Sequence, residues 1–355
     1  MIVVDIGNSG LRGAKVSKGE TCAETLLNPN PEVIADPEGI AKAESRNDSG
    51  GPERSSHCRS SLSGVRLEAI TKLSWSAIGE KIYKEQPEQS IADGERWIPR
   101  VDRTGADREA NNREANNRDG IAREGSDGTR IEREGIEWLV SRLRPEATDT
   151  WKIASVNQSM LEVLIGYLRE RLPDNGVHVV RNQDVGIPVR VDYPERVGID
   201  RLLAARAAWD LIRDGRAGDG PLIVVQAGTA LTVDWVDDAG RFCGGAILPG
   251  VGLSLQYLAA GTDQLPWLPS HSIVDFPTLP GRNTEQAIAA GVHAAVVGGA
   301  KFLIDRYRDG RPVPVVVSGG DGKLLRAAIE SPVHYVGNLV LLGLSLCQIT
   351  DREAT

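Results

Sequence analysis

Short apolar runs alternate with helically spaced apolar residues along most of the chain. This alternation is typical of an α/β fold. Helical spacing predicts helices at 136–143, 160–172, 200–213 and 284–305, with a last helix from about 338. The predicted strands are the run before Gly7, then 14–16 after a glycine-rich turn at 7–13, and 151–156, 177–180, 222–226, 230–236 and 313–317.

Two polar tracts interrupt this pattern. The first, 17–64, is rich in Pro, Gly, Ser and charge and is predicted to be loop. In the second, arginine recurs every five residues from 103 to 123, a period that fits neither a helix nor a strand. We interpret it as an expanded tandem repeat outside the folded body; the alternative is a binding tail. We expect one domain at 1–214, interrupted at about 17–64 and 78–134, and a second at 215–355.

A strand–turn unit occurs twice in the chain. The run from Ile2 to Ser9 can be laid over the run from Ile223 to Ala230, because both are apolar strands that end at glycine and a small polar residue. A third strand ends in Ser318-Gly319-Gly320. Glycine at such turns lets backbone N–H groups approach an anion, although each turn alone could be a plain hairpin. The repeat predicts duplicated halves that face each other across a cleft.

Length and composition narrow the class of protein. A chain of 355 residues predicts two domains, and 41% hydrophobic with 25% charged residues is typical of soluble proteins. The net charge of −8 disfavours nucleic acid and anionic membranes as partners. Four widely spaced cysteines, an N-terminus without a signal-peptide pattern and the lack of 18 uninterrupted apolar residues predict a cytoplasmic protein without a membrane span.

Six blocks of sequence together resemble the type III pantothenate kinases, a family within the acetate and sugar kinase, heat-shock ATPase and actin superfamily. A P-loop, a dinucleotide fingerprint and a nucleophile elbow are missing from the sequence. The blocks occur in the order typical of the family. They are 1–9, 194–201, 226–234, 244–250, 283–291 and 318–320 with 337–344.

The resemblance implies a duplicated actin-like (ribonuclease H-like) two-domain α/β fold with a central cleft. It implies transfer of a phosphoryl group from ATP to pantothenate, the first step of coenzyme A biosynthesis. Such transfer needs bound phosphates, a divalent cation and a base for the attacking hydroxyl. The resemblance therefore also implies Mg²⁺, a monovalent cation (K⁺ or NH₄⁺) and a homodimer in which the partner subunit helps close the substrate pocket.

The resemblance assigns the nucleotide site to both halves. Asp5 would hold Mg²⁺. The alternative is that this aspartate has no role beyond forming the turn. Thr229 would contact ATP, and Gly319 and Gly320 would lie under the adenosine. The expected phosphate loop is Asp5, Ile6, Gly7, Asn8, Ser9, Gly10, Leu11 and Arg12.

The substrate loop of the family corresponds to Gly198, Ile199, Asp200 and Arg201. Asp200 matches the proton acceptor, and Arg201 matches a residue that could meet the pantothenate carboxylate. Without that context, Asp200 could equally cap the helix that follows.

Two further residues match the substrate site. Thr284 matches a substrate-contacting threonine, although it too could be a helix N-cap. Tyr193 matches the family's tyrosine before the substrate loop but lies two residues closer to the glycine.

One position departs from the family pattern in its charge. Where the second hairpin of the family begins with a cation-binding aspartate, this chain has Gln226. An amide oxygen can coordinate a cation but adds no negative charge, so we expect weaker binding. This departure leaves a non-catalytic regulatory relative open as an alternative. A kinase for another small hydroxy acid is a second alternative, because the sequence does not decide the chemistry of the substrate pocket.

Overall fold

A computed structural model describes residues 1–8, 10–18, 65–74, 127–214, 220–273, 277–325, 328–330 and 332–348. Most of the two polar tracts and Ser9 of the expected phosphate loop lie outside these described residues, as does the start of the second domain at 215–219. The expectations for those segments, including the repeat, stay predictions.

The described residues form ten strands and eight α-helices. The strands are β1 Ile2–Gly7, β2 Gly10–Lys18, β3 Val65–Ser74, β4 Thr150–Ser155, β5 Gly176–Val179, β6 Leu222–Ala227, β7 Ala230–Val236, β8 Phe242–Pro249, β9 Val315–Ser318 and β10 Val333–Tyr335. The helices are α1 Asp127–Leu143, α2 Gln158–Arg171, α3 Ile199–Asp214, α4 Val251–Ala260, α5 Thr284–His293, α6 Gly299–Arg308, α7 Gly322–Leu325 and α8 Leu339–Leu346.

The strands form two five-stranded sheets with the same topology. The first has the order β3-β2-β1-β4-β5, and the second has the order β8-β7-β6-β9-β10. In each sheet the central strand is antiparallel to the strand that follows it and parallel to the fourth strand of its half. Repetition of this mixed order confirms the predicted duplicated actin-like α/β fold.

Alternation along the strands creates three hydrophobic cores. Val3 and Val224 face inward, where helices α3 and α8 lie between the two sheets. Val4 faces the opposite side of the first sheet, which α1 and α2 cover, and Val225 faces α4, α5 and α6 on the second. Since both faces of each sheet are covered, the central strands are almost continuously apolar, as the sequence pattern indicated.

The last helix of the chain packs beside the first half of the fold. Gly343 of α8 lies against the backbone of Leu203 in α3, so close that a Cβ at this position would overlap the Leu203 carbonyl. The buried amine of Lys152 on β4 donates to the carbonyls of Ser345 and Cys347 at the end of α8. These contacts connect the C-terminal helix to both α3 and the first sheet.

Several elements differ from the prediction. The sequence pattern predicts no element at β8, β10, α4 or α7. Helix α1 begins at Asp127, eight residues before the apolar spacing becomes helical at Gly135, because its first turns are polar. Strand β2 begins at Gly10, so the glycine-rich turn is shorter than the predicted 7–13. Strand β3 is not predicted either, because its charged residues mask the period of two and Ala69 interrupts it with a positive φ of 49°.

Helix α5, a π-helical turn at Ala294–Gly298 and helix α6 run continuously from Thr284 to Arg308. This stretch has the length and composition of a membrane span, with a mean hydropathy of 1.7 over 18 residues. Four of its apolar side chains, however, lie in the core of the second half: Ile288, Val292, Val296 and Ile304. Packing in this core explains the apolar composition, and the expectation of no membrane span stays a prediction.

Candidate active site

Asp5 is a buried carboxylate near the end of β1, with only 2% of its surface exposed. It lies opposite Arg12 of β2, whose Nη2 is 3.3 Å from the Asp5 Oδ2. Burial raises the pKa of Asp5 to about 6; Arg12 opposes this shift and the negative charge of Asp200 adds to it. Asp5 and Asp200 are therefore close enough to interact, although they are 195 residues apart in sequence.

Asp200 lies in the first turn of α3, which begins at Ile199. The carbonyl of Gly198 accepts hydrogen bonds from the N–H groups of Arg201 and Leu202, at 3.1 and 3.4 Å. The Asp200 Oδ1 accepts the N–H of Arg201 at 3.0 Å. Asp200 is thus inside the helix rather than its N-cap, and the capping interpretation of this residue is wrong. Its carboxylate folds back over Gly198, where a Cβ would lie only 2.7 Å from Oδ1.

Gln226 brings the second half of the fold to the same place. It lies near the end of β6, and its Nε2 is 3.5 Å from the backbone carbonyl oxygen of Asp200. The ends of β1 and β6, which the internal repeat paired in sequence, therefore meet at the start of α3. This is the cleft between the duplicated halves that the sequence predicted.

Arg201 projects toward the second sheet and forms a bidentate ion pair with Asp234 of β7. Its Nε lies 3.1 and 3.2 Å from the two Asp234 oxygens, and its Nη2 also contacts Oδ1. The guanidinium also lies 5.4 Å from the centre of the Phe242 ring. Asp234 is fully buried, and burial raises its pKa while Arg201 opposes the shift. This pairing fixes the guanidinium through its Nε and Nη2 groups.

Asp234 is a site residue to which the sequence assigns no role. The signal was present in its strand, because Leu231 and Val233 are buried apolar residues whereas Thr232 and Asp234 alternate with them. In a strand buried on both faces, two polar side chains on one face are unusual. That alternation could have indicated that this face of β7 borders the site.

The glycine turns of the second half lie against each other. Gly319 has a φ of 103°, a left-handed conformation that favours glycine, and a Cβ there would overlap the Ala227 backbone. The N–H of Asp321 donates to the Ala227 carbonyl at 3.1 Å. Gly250 closes the other side, since its N–H donates to the carbonyl of the exposed Thr229 at 3.0 Å. The structure therefore brings the three expected nucleotide contacts Thr229, Gly319 and Gly320 to one edge of the second sheet.

In the expected phosphate loop, Ile6 and Leu11 point into the outer core of the first sheet. Only their backbone groups can face a ligand. Gly7 pairs with Gly10 across the hairpin, and Asn8 is exposed at its tip. Arg12 is thus the cationic side chain of the described part of this loop.

Two predicted substrate residues lie on other segments. Tyr193 is 59% exposed before the short 3₁₀ helix Pro194–Arg196, and the Arg196 guanidinium lies 4.7 Å from the centre of its ring. Thr284 is the exposed first residue of α5, where Asn283 is the N-cap and accepts the N–H of Gln286. The capping interpretation of Thr284 is therefore wrong. Among the described residues, neither side chain forms a hydrogen bond or an ion pair with Asp5 or Asp200.

The carboxylates of the site bear on how the expected Mg²⁺ would be held. The described residues include no group of three or more His, Cys, Asp or Glu side chains that could hold a metal by themselves. Mg²⁺ in phosphoryl-transfer sites, however, usually takes one or two carboxylates, with nucleotide phosphates and water completing its shell. Asp5 fits that role, because a buried carboxylate whose pKa is raised gains stabilisation from a nearby cation.

Two sheets of the same mixed strand order, with glycine turns and the carboxylates of Asp5 and Asp200 where the two halves meet, define the class of the protein as an actin-like two-domain α/β fold. The model of the family described as type III pantothenate kinase matches residues 110–306. A type III pantothenate kinase of Rhodopirellula baltica is 44% identical over 205 residues, covering 57% of this chain and 72% of the relative. A type III pantothenate kinase of Phenylobacterium zucineum is 30% identical over 262 residues, covering 72% of this chain and 90% of the relative. The chain belongs to the type III pantothenate kinase family.

Solved structures are less similar to this chain. A Baf family transcriptional activator from Campylobacter jejuni aligns over 97% of this chain and 96% of its own, with 13% identity and a TM-score of 0.43.

Proposed function

We propose that this chain phosphorylates pantothenate with ATP, the reaction for which its family is named, at the meeting point of β1, β6 and α3. The observation that carries the proposal is the position of Asp200. Its carboxylate is at the start of α3, close to the buried Asp5 of the first half and joined through its backbone to Gln226 of the second. Phosphoryl transfer requires such convergence of a base with a phosphate site.

In the proposed reaction, the primary hydroxyl of pantothenate attacks the γ-phosphorus of ATP, and the bond to the β-phosphate oxygen breaks to release ADP. Asp200 accepts the hydroxyl proton. The hydrogen bond from the Arg201 N–H to its Oδ1 orients the carboxylate. Arg12 and the backbone N–H groups of the first hairpin bind the phosphates.

Asp5 would hold Mg²⁺ directly or through water, and the ion would neutralise charge on the phosphates when bound. We place the pantothenate carboxylate at the Nη1 side of the Arg201 guanidinium, which Asp234 holds in position through Nε and Nη2. Thr284 and Tyr193 contribute from outside this cluster. Gln226 faces the expected monovalent cation with a neutral amide, so K⁺ or NH₄⁺ binds weakly there.

The enzyme is proposed to act as a cytoplasmic homodimer. Large exposed apolar side chains on the second half support a self-contact, among them Ile247 on the edge strand β8 and Phe302 on α6, which are 63% and 64% exposed. We do not propose a nucleic acid or a membrane as a partner.

The test is turnover of Asp200→Asn in an assay that couples ADP release to pantothenate addition. Loss of a general base is expected to lower turnover by about 10²- to 10⁴-fold, with nucleotide affinity little changed. Asp174→Asn is the matched control, because Asp174 is an exposed carboxylate in the turn before β5. If Asp200→Asn keeps turnover within a factor of a few of wild type, Asp200 is not the base.

A further inference from the structure

Lys72 of β3 lies in the same row of the first sheet as two residues of the proposed phosphate site. Arg12 is opposite Asp5 on one side and opposite Lys72 on the other. Directly opposed residues of antiparallel strands project from the same face, with their Cβ atoms about 5 Å apart. The side chain of Lys72 therefore points to the face that carries Asp5 and Arg12.

Lys72 also reaches the second half of the fold. Its Nζ is 4.0 Å from the position that a Cβ would occupy on Gly320, in the glycine turn after β9. The positive charge of Lys72 also acts on the neighbouring Asp321, because it opposes the rise that burial causes in the pKa of that carboxyl group. The lysine thus spans the space between the two expected parts of the nucleotide site.

The side chains that border this space favour the binding of an anion. The exposed ammonium group of Lys72 offers three N–H donors, and Arg12 supplies a second cationic side chain one strand away. A polyphosphate that runs from the first hairpin to the glycine turn at 319–320 would pass between these two cations.

We propose that Lys72 binds the phosphates of the nucleotide across the cleft. The inference rests on the proposed function for the identity of the nucleotide, but its test does not depend on turnover. In the nucleotide-free protein the amine faces Asp321, and on binding its charge is shared with the phosphates. Lys72 is a binding residue, since Asp200 alone handles the proton.

The test compares Lys72→Gln with Lys72→Arg and with the control Lys301→Gln. Lys301 lies on α6 and pairs with Asp305. The affinities for ADP and for adenosine are measured by calorimetry with Mg²⁺ present, and KM for ATP and for pantothenate by ADP release. Removing one charge-assisted contact should weaken ADP binding and raise the KM for ATP by about tenfold. Adenosine affinity, the KM for pantothenate and the Lys301→Gln variant should stay within twofold of wild type, and Lys72→Arg should restore most of the ADP affinity.

Two results would overturn the inference. If Lys72→Gln leaves ADP affinity unchanged, the amine does not bind phosphate. If the variant weakens adenosine as much as ADP, Lys72 only tethers the two halves. Failure of the proposed function would look different, because a wild-type protein that binds ADP without phosphorylating pantothenate can still lose that binding in Lys72→Gln.

Discussion

Asp5→Asn should stabilise the nucleotide-free protein near neutral pH while it removes a group on which catalysis depends. Burial raises the pKa of Asp5 from 3.8 to about 6, so its ionised form is disfavoured in the folded state. Because the folded pKa lies above the unfolded one, this group favours folding below about pH 4. That contribution is lost as the pH rises through 6.

The size of the effect follows from the shift in pKa. A difference of roughly two units corresponds to a cost of about 3 kcal/mol at pH 7.5 and of about 1 kcal/mol at pH 4.5, where the folded carboxyl group is mostly protonated. Asparagine has nearly the same shape and stays neutral at both values. The lost ion pair with Arg12 makes 3 kcal/mol an upper limit.

The assay is thermal unfolding of wild type, Asp5→Asn and the exposed control Asp174→Asn, each at pH 7.5 and 4.5 without nucleotide. Asp5→Asn should raise the melting temperature at pH 7.5 by up to about 6–12 °C, with a gain about three times smaller at pH 4.5. Addition of Mg²⁺ and ATP should stabilise wild type more than the variant. An equal loss of stability at both pH values would refute the reasoning, since Asp5 would then be a structural residue without a buried charge to relieve.

Two further predictions concern the polar tract and Gln226. Deleting 103–124, a segment that ends before α1 begins at Asp127, should leave the melting temperature and turnover nearly unchanged. The reason is that 101–120 contains no Leu, Ile or aromatic residue to bury. A large loss of melting temperature or turnover would show that the tract packs on the folded body. Gln226→Asp should lower the K⁺ concentration for half-maximal activity, because a carboxylate attracts the cation more strongly than an amide does. If the wild type already saturates at low K⁺ and the variant has the same half-maximal K⁺ concentration, Gln226 is not at a cation site.

The duplicated fold could be predicted from the sequence because its evidence is local. Each central strand is a continuous apolar run that ends at a glycine turn, and the two runs resemble each other closely enough to be aligned. The resemblance to the family also implied that Asp5 and Asp200 belong to one site. Strand β3 could not be predicted in the same way, because its charged residues and the irregularity at Ala69 hide the alternation that identifies a strand.

The contacts across the cleft were beyond sequence reasoning. Lys72 lies in a strand that the sequence pattern did not identify. Only the strand register, which sets it opposite Arg12, shows that Lys72 lies beside the proposed phosphate site. Asp234 lay inside a quoted motif, but its role depends on the bidentate pairing with Arg201 from the other half. Contacts of this kind depend on how two distant segments pack, and a local pattern does not contain that information.

The most direct test of the central claim is to identify the product of the reaction. Purified protein is incubated with ATP, Mg²⁺ and pantothenate, and the pantothenate is analysed by mass spectrometry, with Asp200→Asn and Asp174→Asn run in parallel. We expect pantothenate that carries one added phosphoryl group. The wild type and Asp174→Asn should form it at similar rates, and Asp200→Asn should form it at least about 10²-fold more slowly. Wild-type protein that binds ATP but leaves pantothenate unmodified would contradict the claim.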